Sequence, residues 1–349
     1  MNNASEQKQV LVTGGTGFVG VHCILQLLNN GHRVKTTLRT MKRQDEVLDM
    51  LRNGGAQGLE RLSFIEADLS QDKNWQEATE GCAYVLHVAS PIGLNVPNDE
   101  SEMIRPAVDG TLRVLRAAKQ SGVRRVVLTS SFAAVGYSHN DPNTLITEEC
   151  WTDPNEKHLA AYLKSKTLAE RAAWDFMQKE GGDLELAVVN PTAIFGPTLG
   201  RDLSSAFELL KQLMDGTLKA VPQISFGVVD VRDVADLHLR AMTNPQAKGQ
   251  RFLAISGEPI TFPAMAKFIR EKFGSAANKV STKVLPNFVV RIAALFSPAA
   301  KTIAPQLGRS KRASNAKAKQ LLGWAPRSNE EAIAASVESM LKFGVVPRT

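Results

Sequence analysis

A chain of 349 residues, 43% hydrophobic and 22% charged, has the size of one large or two modest domains and the balance of a globular fold, which excludes disorder along its whole length. Its formal net charge of +7 permits anionic ligands but is too mild to imply nucleic acid, and no nucleic-acid partner is expected. Three cysteines, Cys23, Cys82 and Cys150, with no CxxC pair, argue against a disulfide scaffold and against a cysteine zinc site.

The chain opens on MNNASEQKQV, which lacks the apolar core of a signal peptide, so a cytoplasmic location is expected. Residues 10–13 are a short apolar strand, followed directly by GGTGFVG at 14–20. Val21, Ile24, Leu25 and Leu28 then share one helix face, and Gly31 stops the helix. Further strands are expected at 33–39, 61–66, 84–89, 125–129 and 184–190, with helices at 44–53, 100–121 and 159–179. Short, continuously apolar strands alternating with helices predict an α/β fold: a Rossmann-type doubly wound parallel sheet covered on both faces.

After Pro191 the rhythm changes. A helix at 205–213, a strand running into a helix at 228–242, a helix at 263–273 and two closing helices predict a smaller C-terminal substrate domain at the carboxyl edge of the sheet. Residues 1–193 and 226–252 would form the dinucleotide domain, and 194–225 with 253–349 the substrate domain. The most lipid-like stretch, 284–300, is interrupted by two prolines and Arg291 and falls short of the about 20 apolar residues of a bilayer span. A buried helix is expected there, and no membrane span. The basic stretch 309–319 reads as the solvated face of a helix.

The glycine cluster carries the first chemistry. Residues 15–20 fit GxGxxG between a strand and a helix, with Gly14 ahead of them. Glycines at Gly14, Gly17 and Gly20 permit the tight turn and close backbone approach to a pyrophosphate, and the helix beginning at Phe18 and Val19 presents free N–H groups to it. No GK[ST] follows, so this is not a Walker loop. At the end of the second strand, where a carboxylate would hold the ribose 2′-hydroxyl of NAD, stands Arg39, with Lys42 and Arg43 behind it. A guanidinium grips a 2′-phosphate that a carboxylate would repel, so the expected cofactor is NADP(H).

Tyr162 and Lys166 lie one turn apart in AYLKSKTLAE. The lysine charge is expected to favour the phenolate and lower the tyrosine pKa, which suits proton donation to a carbonyl oxygen. Ser130 and Ser131 close the fifth strand, where a hydroxyl can hydrogen-bond that oxygen.

Together with Asp68-Leu69, HVASP at 87–91, RPAVDGTLRVL at 105–115, NPTAIFGP at 190–197, VDVRDVADLH at 229–238 and LLGWAPRS at 321–328, these motifs resemble the extended short-chain dehydrogenase/reductases. HVASP and the 105–115 segment look most like the dihydroflavonol reductase, cinnamoyl-CoA reductase and aldehyde reductase branch. The resemblance implies a catalytic triad of Ser131, Tyr162 and Lys166. It implies an adenine pocket at Asp68 and Leu69, and passage of Val88, Ala89 and Ser90 beneath the ribose and nicotinamide. It also implies contacts from Pro191 and Ile194 to the carboxamide and from Lys166 to the nicotinamide ribose, and it matches Arg39 to the 2′-phosphate arginine. Ala107 stands where many extended members carry a relay asparagine, so that role does not transfer. Phe132 follows Ser131 where sugar dehydratases carry an acid, which disfavours dehydration.

The expected activity is reversible, NADPH-dependent reduction of aldehydes or ketones to alcohols. Expected substrate walls are Pro91, Ile92, Leu94, Phe132, Tyr137, Phe195, Leu199 and Phe226, mostly apolar and suited to a hydrophobic or aromatic carbonyl compound. A steroid or nucleotide-sugar dehydrogenase or epimerase, and a non-catalytic NADP(H)-sensing module, stand as alternatives. No metal site is expected, since the six histidines show neither HxH nor HExxH spacing. The chain is expected to be a monomer or a homodimer.

Overall fold

The computed structural model describes residues 7–91, 99–139, 141, 143–157, 159–201 and 205–346. The first half alternates strictly: β1 (Gln9–Val12), α1 (Phe18–Asn29), β2 (Arg33–Leu38), α2 (Gln44–Asn53), β3 (Leu62–Glu66), α3 (Trp75–Thr79), β4 (Tyr84–His87), α4 (Ser101–Gln120), β5 (Arg125–Thr129), α5 (Ala161–Lys179) and β6 (Glu185–Pro191). Then follow β7 (Ala193–Phe195), α6 (Ser205–Met214), β8 (Val221–Pro222), β9 (Ser225–Phe226), β10 (Val228–Asp230), α7 (Val231–Thr243) and β11 (Arg251–Ala254). The chain closes with β12 (Ile260–Thr261), α8 (Phe262–Phe273), β13 (Val284–Leu285), α9 (Asn287–Ala293), α10 (Pro298–Ile303), α11 (Ala316–Leu322) and α12 (Asn329–Lys342).

Among the described residues, seven strands form one sheet in the order β11-β6-β5-β4-β1-β2-β3, and every pairing within it is parallel. The expected Rossmann-type sheet is present. Its strands are apolar on both faces because both are covered: Val10 and Val12 pack toward α1 and α7, whereas Leu11 packs toward α4 and α5. The order reverses between β1 and β4, which opens a crevice at their carboxyl ends. A third apolar cluster, built from α6, α8 and α12 with Phe195, Val221 and Val228, lies in the C-terminal part.

The seventh strand, β11, is absent from the sequence expectations, and the expected domain boundary at 252 falls inside it. Residues 284–300 are not the buried helix expected from their composition. They form β13, α9 and the start of α10, and Phe288, Ile292, Leu295 and Phe296 are exposed. The basic stretch 309–319 is helical only from Ala316 onward. Upstream, Ala313 bridges to Ile146, Lys311 Nζ donates to the His139 carbonyl at 2.8 Å, and Arg312 pairs with Glu258.

Three histidines serve the packing. His22 bonds the Pro197 carbonyl, His87 the Thr13 hydroxyl and His238 the Thr129 hydroxyl, all fully buried. Burial pushes their pKa values down, to about 4 for His22 and His238 and about 3 for His87. An unfolded imidazole takes its proton near pH 6.5, so between that pH and about 4 the unfolded chain binds more protons. Stability is therefore expected to be fully present above about pH 6.5 and to fall as pH drops toward 4, by about 1.4 kcal/mol per unit for each histidine. Urea unfolding between pH 7 and 4.5 checks this; a flat profile contradicts it.

Candidate active site

The turn between β1 and α1 is shaped by what cannot fit there. Gly14 has φ +75°, and a Cβ on it would lie 3.0 Å from that of Ala89. A Cβ on Gly20 would stand 2.3 Å from the Gly14 carbonyl oxygen, so only glycine lets α1 close onto its own loop. The loop is pinned by Gly14 N–H donating to Thr37 Oγ1 at 3.0 Å and Gly15 N–H to the Thr37 carbonyl at 3.1 Å. The N-cap of α1 is Gly17, without a side-chain cap, and the first turn holds no acid. The early amides of α1 are thus left for an anion at the helix N-terminus.

This turn borders a cleft of about 1080 Å³ at the sheet's carboxyl ends. Of the expected cofactor residues, Gly14, Gly17, Phe18, Val19, Arg39, Asp68, Leu69, Val88, Ala89, Ser90, Pro191 and Ile194 line it, and so do Ser131, Tyr162 and Lys166. Two expected cofactor residues do not: Gly20 shapes the helix–loop contact, and Lys42 is exposed in the middle of a 3-10 turn, Met41–Arg43. Arg43 pairs with Glu46 at 2.6 Å, whereas exposed Arg39 lies on the cleft wall near Asp68. Thr13 joins β1 to the next wall, accepting from the N–H groups of Val88 and Ala89 at 3.0 and 2.9 Å.

The two serines at the end of β5 both line the cleft but have different partners. Ser130 is buried and donates to Glu170 Oε2 at 2.5 Å. Ser131 opens a 3-10 turn, Phe132–Ala134, where its hydroxyl accepts from the Ala133 N–H at 3.1 Å, and it stands near enough to Tyr162 to bear on the phenol's pKa. Tyr162 is 36% exposed and lies on the cleft wall. Burial pushes this phenol's pKa up and the nearby Ser131 hydroxyl opposes the rise. The expected lowering by Lys166 is not seen here. Lys166 is itself buried, its Nζ donates to Ser90 Oγ at 2.8 Å, and burial brings its pKa down to about 8 against the pull of Glu170.

Most of the expected substrate walls lie elsewhere. Pro91 lines the cleft. Phe195 is buried and stacks on Phe226, which in turn meets Phe262, all within the C-terminal core. Leu199 packs against Met50 and Gly54 of the α2 region. Phe132 packs beside Val135, Ile146 and Leu253 and touches Tyr137 edge-on. Tyr137 stands close enough to Tyr162 for the second phenol to help push up its pKa, after burial. Ile92 and Leu94 lie outside the described residues. The apolar lining comes instead from Met103 and Pro106 of α4 and Leu209 of α6. Helical spacing gave no means to separate cleft-facing from core-facing leucines and phenylalanines.

Sequence reasoning also missed the support beneath the site. Glu170, one turn beyond Lys166, is fully buried and accepts from Ser130, from Asn190 Nδ2 at 2.7 Å and from Arg251 Nε at 2.6 Å. Asn190 also donates to the Ser131 carbonyl at 3.2 Å. Arg251 donates to the Glu148 and Cys150 carbonyls at 2.8 and 2.9 Å and stacks on Trp151. The i, i+4 spacing of Lys166 and Glu170 was the available signal.

Comparison with known proteins decides the family. The model of the 3-beta hydroxysteroid dehydrogenase/isomerase family matches residues 11–286. The chain belongs to this family. It is an oxidoreductase of the extended short-chain dehydrogenase/reductase type, as its motifs suggest. Among curated relatives, cinnamoyl-CoA reductase CAD2 of Medicago truncatula is 35% identical over 258 residues, 72% of this chain and 78% of the relative. A putative NADPH-dependent methylglyoxal reductase of Candida albicans is 33% identical over 287 residues, 77% of this chain and 84% of the relative. Among solved structures, yeast methylglyoxal/isovaleraldehyde reductase Gre2 complexed with NADPH superimposes with a TM-score of 0.80 at 27% identity, covering 97% of this chain and 99% of that one.

Proposed function

We propose that the protein is an NADPH-dependent reductase that converts a hydrophobic or aromatic aldehyde or ketone to its alcohol, reversibly. The observation that carries this reading is the convergence of Ser131, Tyr162 and Lys166 on the same cleft as the glycine turn. The cinnamoyl-CoA and methylglyoxal reductases among the relatives support a carbonyl substrate, and the NADPH complex of Gre2 supports the cofactor.

The residues present fit a dinucleotide: uncapped amides of α1 for the pyrophosphate, Asp68 and Leu69 for the adenine end, and Val88 to Ser90 with Pro191 and Ile194 for the nicotinamide end. Once bound, the nicotinamide supplies hydride. The chain holds the substrate and moves the proton. Ser131 donates a hydrogen bond to the carbonyl oxygen, where negative charge develops. Tyr162, held protonated by burial, gives its hydroxyl proton to that oxygen. Lys166, its ammonium bonded to Ser90, would hold the nicotinamide ribose and put positive charge on the side where the phenolate develops. The seven-stranded sheet, β11 included, and its flanking helices serve as the cofactor unit, and the C-terminal cluster of α6, α8 and α12 shapes the substrate side.

A screen of aldehydes and ketones, read by loss of NADPH absorbance, tests the reading against product analysis on a UDP-hexose panel. Epimerised or dehydrated sugar without carbonyl reduction overturns it. Steroid ketones belong in the same screen, because the family model is named for them.

Cofactor choice is expected to rest on Arg39. Arg39→Asp removes a charge-assisted contact worth about 1.5–3 kcal/mol and adds repulsion, so NADPH should bind at least about tenfold more weakly. NADH binding should change little. Equal losses for both cofactors, by fluorescence titration, contradict the assignment.

A further inference from the structure

Helix α9 turns two faces to its surroundings. Val290 is buried against the body, whereas Phe288 and Ile292, one turn apart, are 65% and 55% exposed. The turn that follows leaves Leu295 and Phe296 77% and 85% exposed. These are four of the largest apolar exposures among the described residues, and they adjoin one another along nine positions of chain. The tip is anchored rather than loose. β13 pairs with β8 at Val221, α10 packs back on α9, and Gly308 N–H donates to the Gln223 carbonyl at 2.9 Å.

The segment that builds the tip carries charge of one sign, although Arg312 and Arg327 within it pair with Glu258 and Asp233 from elsewhere in the chain. Residues 272–329 contain eleven Lys or Arg and no Asp or Glu, so this segment carries +11 while the whole chain carries +7. Lys283, Arg291 and Lys301, on β13's approach, α9 and α10, are exposed. An apolar tip rimmed by cations matches the layered chemistry of an anionic lipid leaflet, with acyl chains beneath negative headgroups. A symmetric contact with a second copy would instead set one cationic rim against another.

We propose that the tip formed by Phe288, Ile292, Leu295 and Phe296 docks peripherally on membranes bearing anionic lipid. The apolar side chains enter the headgroup–acyl boundary and the lysine and arginine rim meets the headgroups. No span is involved: among the described residues no helix is long and apolar enough to cross a bilayer. The proposal does not depend on the reaction.

The test is co-sedimentation of the full chain with vesicles of phosphatidylcholine alone or with 30–40% phosphatidylserine (roughly a charged cytoplasmic leaflet). Binding is expected on the anionic vesicles and should weaken in 1 M salt, where the screening length drops to about 3 Å. One cation near such a surface is worth about fivefold in affinity, so K283E/R291E/K301E should bind at least about 100-fold more weakly. F288S/L295S/F296S should lose at least about tenfold while keeping its thermal melting temperature. Wild-type protein left in the supernatant, or equal binding by the apolar-tip variant, overturns the proposal. So does a concentration-dependent dimer, by sedimentation velocity, that the tip variant abolishes while vesicle binding is nil; that outcome assigns the tip to a second copy.

Discussion

Tyr162→Phe is expected to lower turnover of a carbonyl substrate by about 10²–10⁴-fold, the range a positioned general acid contributes, and to leave NADPH affinity nearly unchanged. The substitution keeps the ring on the cleft wall and removes only the hydroxyl, which lies near Ser131. Lys166→Met has a different signature. It removes the ammonium bonded to Ser90, for which a hold on the cofactor's ribose is proposed, so both turnover and cofactor affinity should fall. Single-turnover rates with NADPH, alongside cofactor titration, separate the two. A Tyr162→Phe enzyme within a few-fold of the wild type would remove this phenol from the chemistry.

Arg251→Met should destabilise the fold by about 3–5 kcal/mol, the loss seen when one partner of a buried ion pair is removed. Glu170 would keep its bonds to Ser130 and Asn190 but lose the cation 2.6 Å away, leaving a carboxylate in the core. The Glu148 and Cys150 carbonyls would lose their donor as well. Arg251→Lys should recover little, since one ammonium cannot reproduce the guanidinium's bonds to three acceptors and its stacking on Trp151. Urea midpoints with unchanged m-values measure this. A loss below about 1 kcal/mol would show that the interior compensates.

The parallel sheet was legible because its strands are continuously apolar and the helices between them keep period. Bounds for β5 and α2 coincide with the sequence expectation. The glycine turn and the Tyr162–Lys166 pair were legible because local spacing fixes their geometry. What failed depends on non-local packing. Phe195, Leu199 and Phe226 follow the same patterns as cleft residues, yet β7, β9 and α2 place them in cores. β11 escaped because four residues, RFLA, carry too little pattern. Residues 284–300 read as buried because hydropathy cannot tell an apolar segment folded inward from one left on the outside.

Phe18 joins what the sequence divides. It belongs to the glycine motif, yet its ring meets that of Phe207 on α6 edge-on at 5.0 Å, and Leu209 of the same helix lines the cleft. The two units are therefore not interchangeable parts. A chimera that grafts another reductase's α6 region to broaden substrate range must carry a partner matched to Phe18, or it perturbs the phosphate turn it was meant to leave alone.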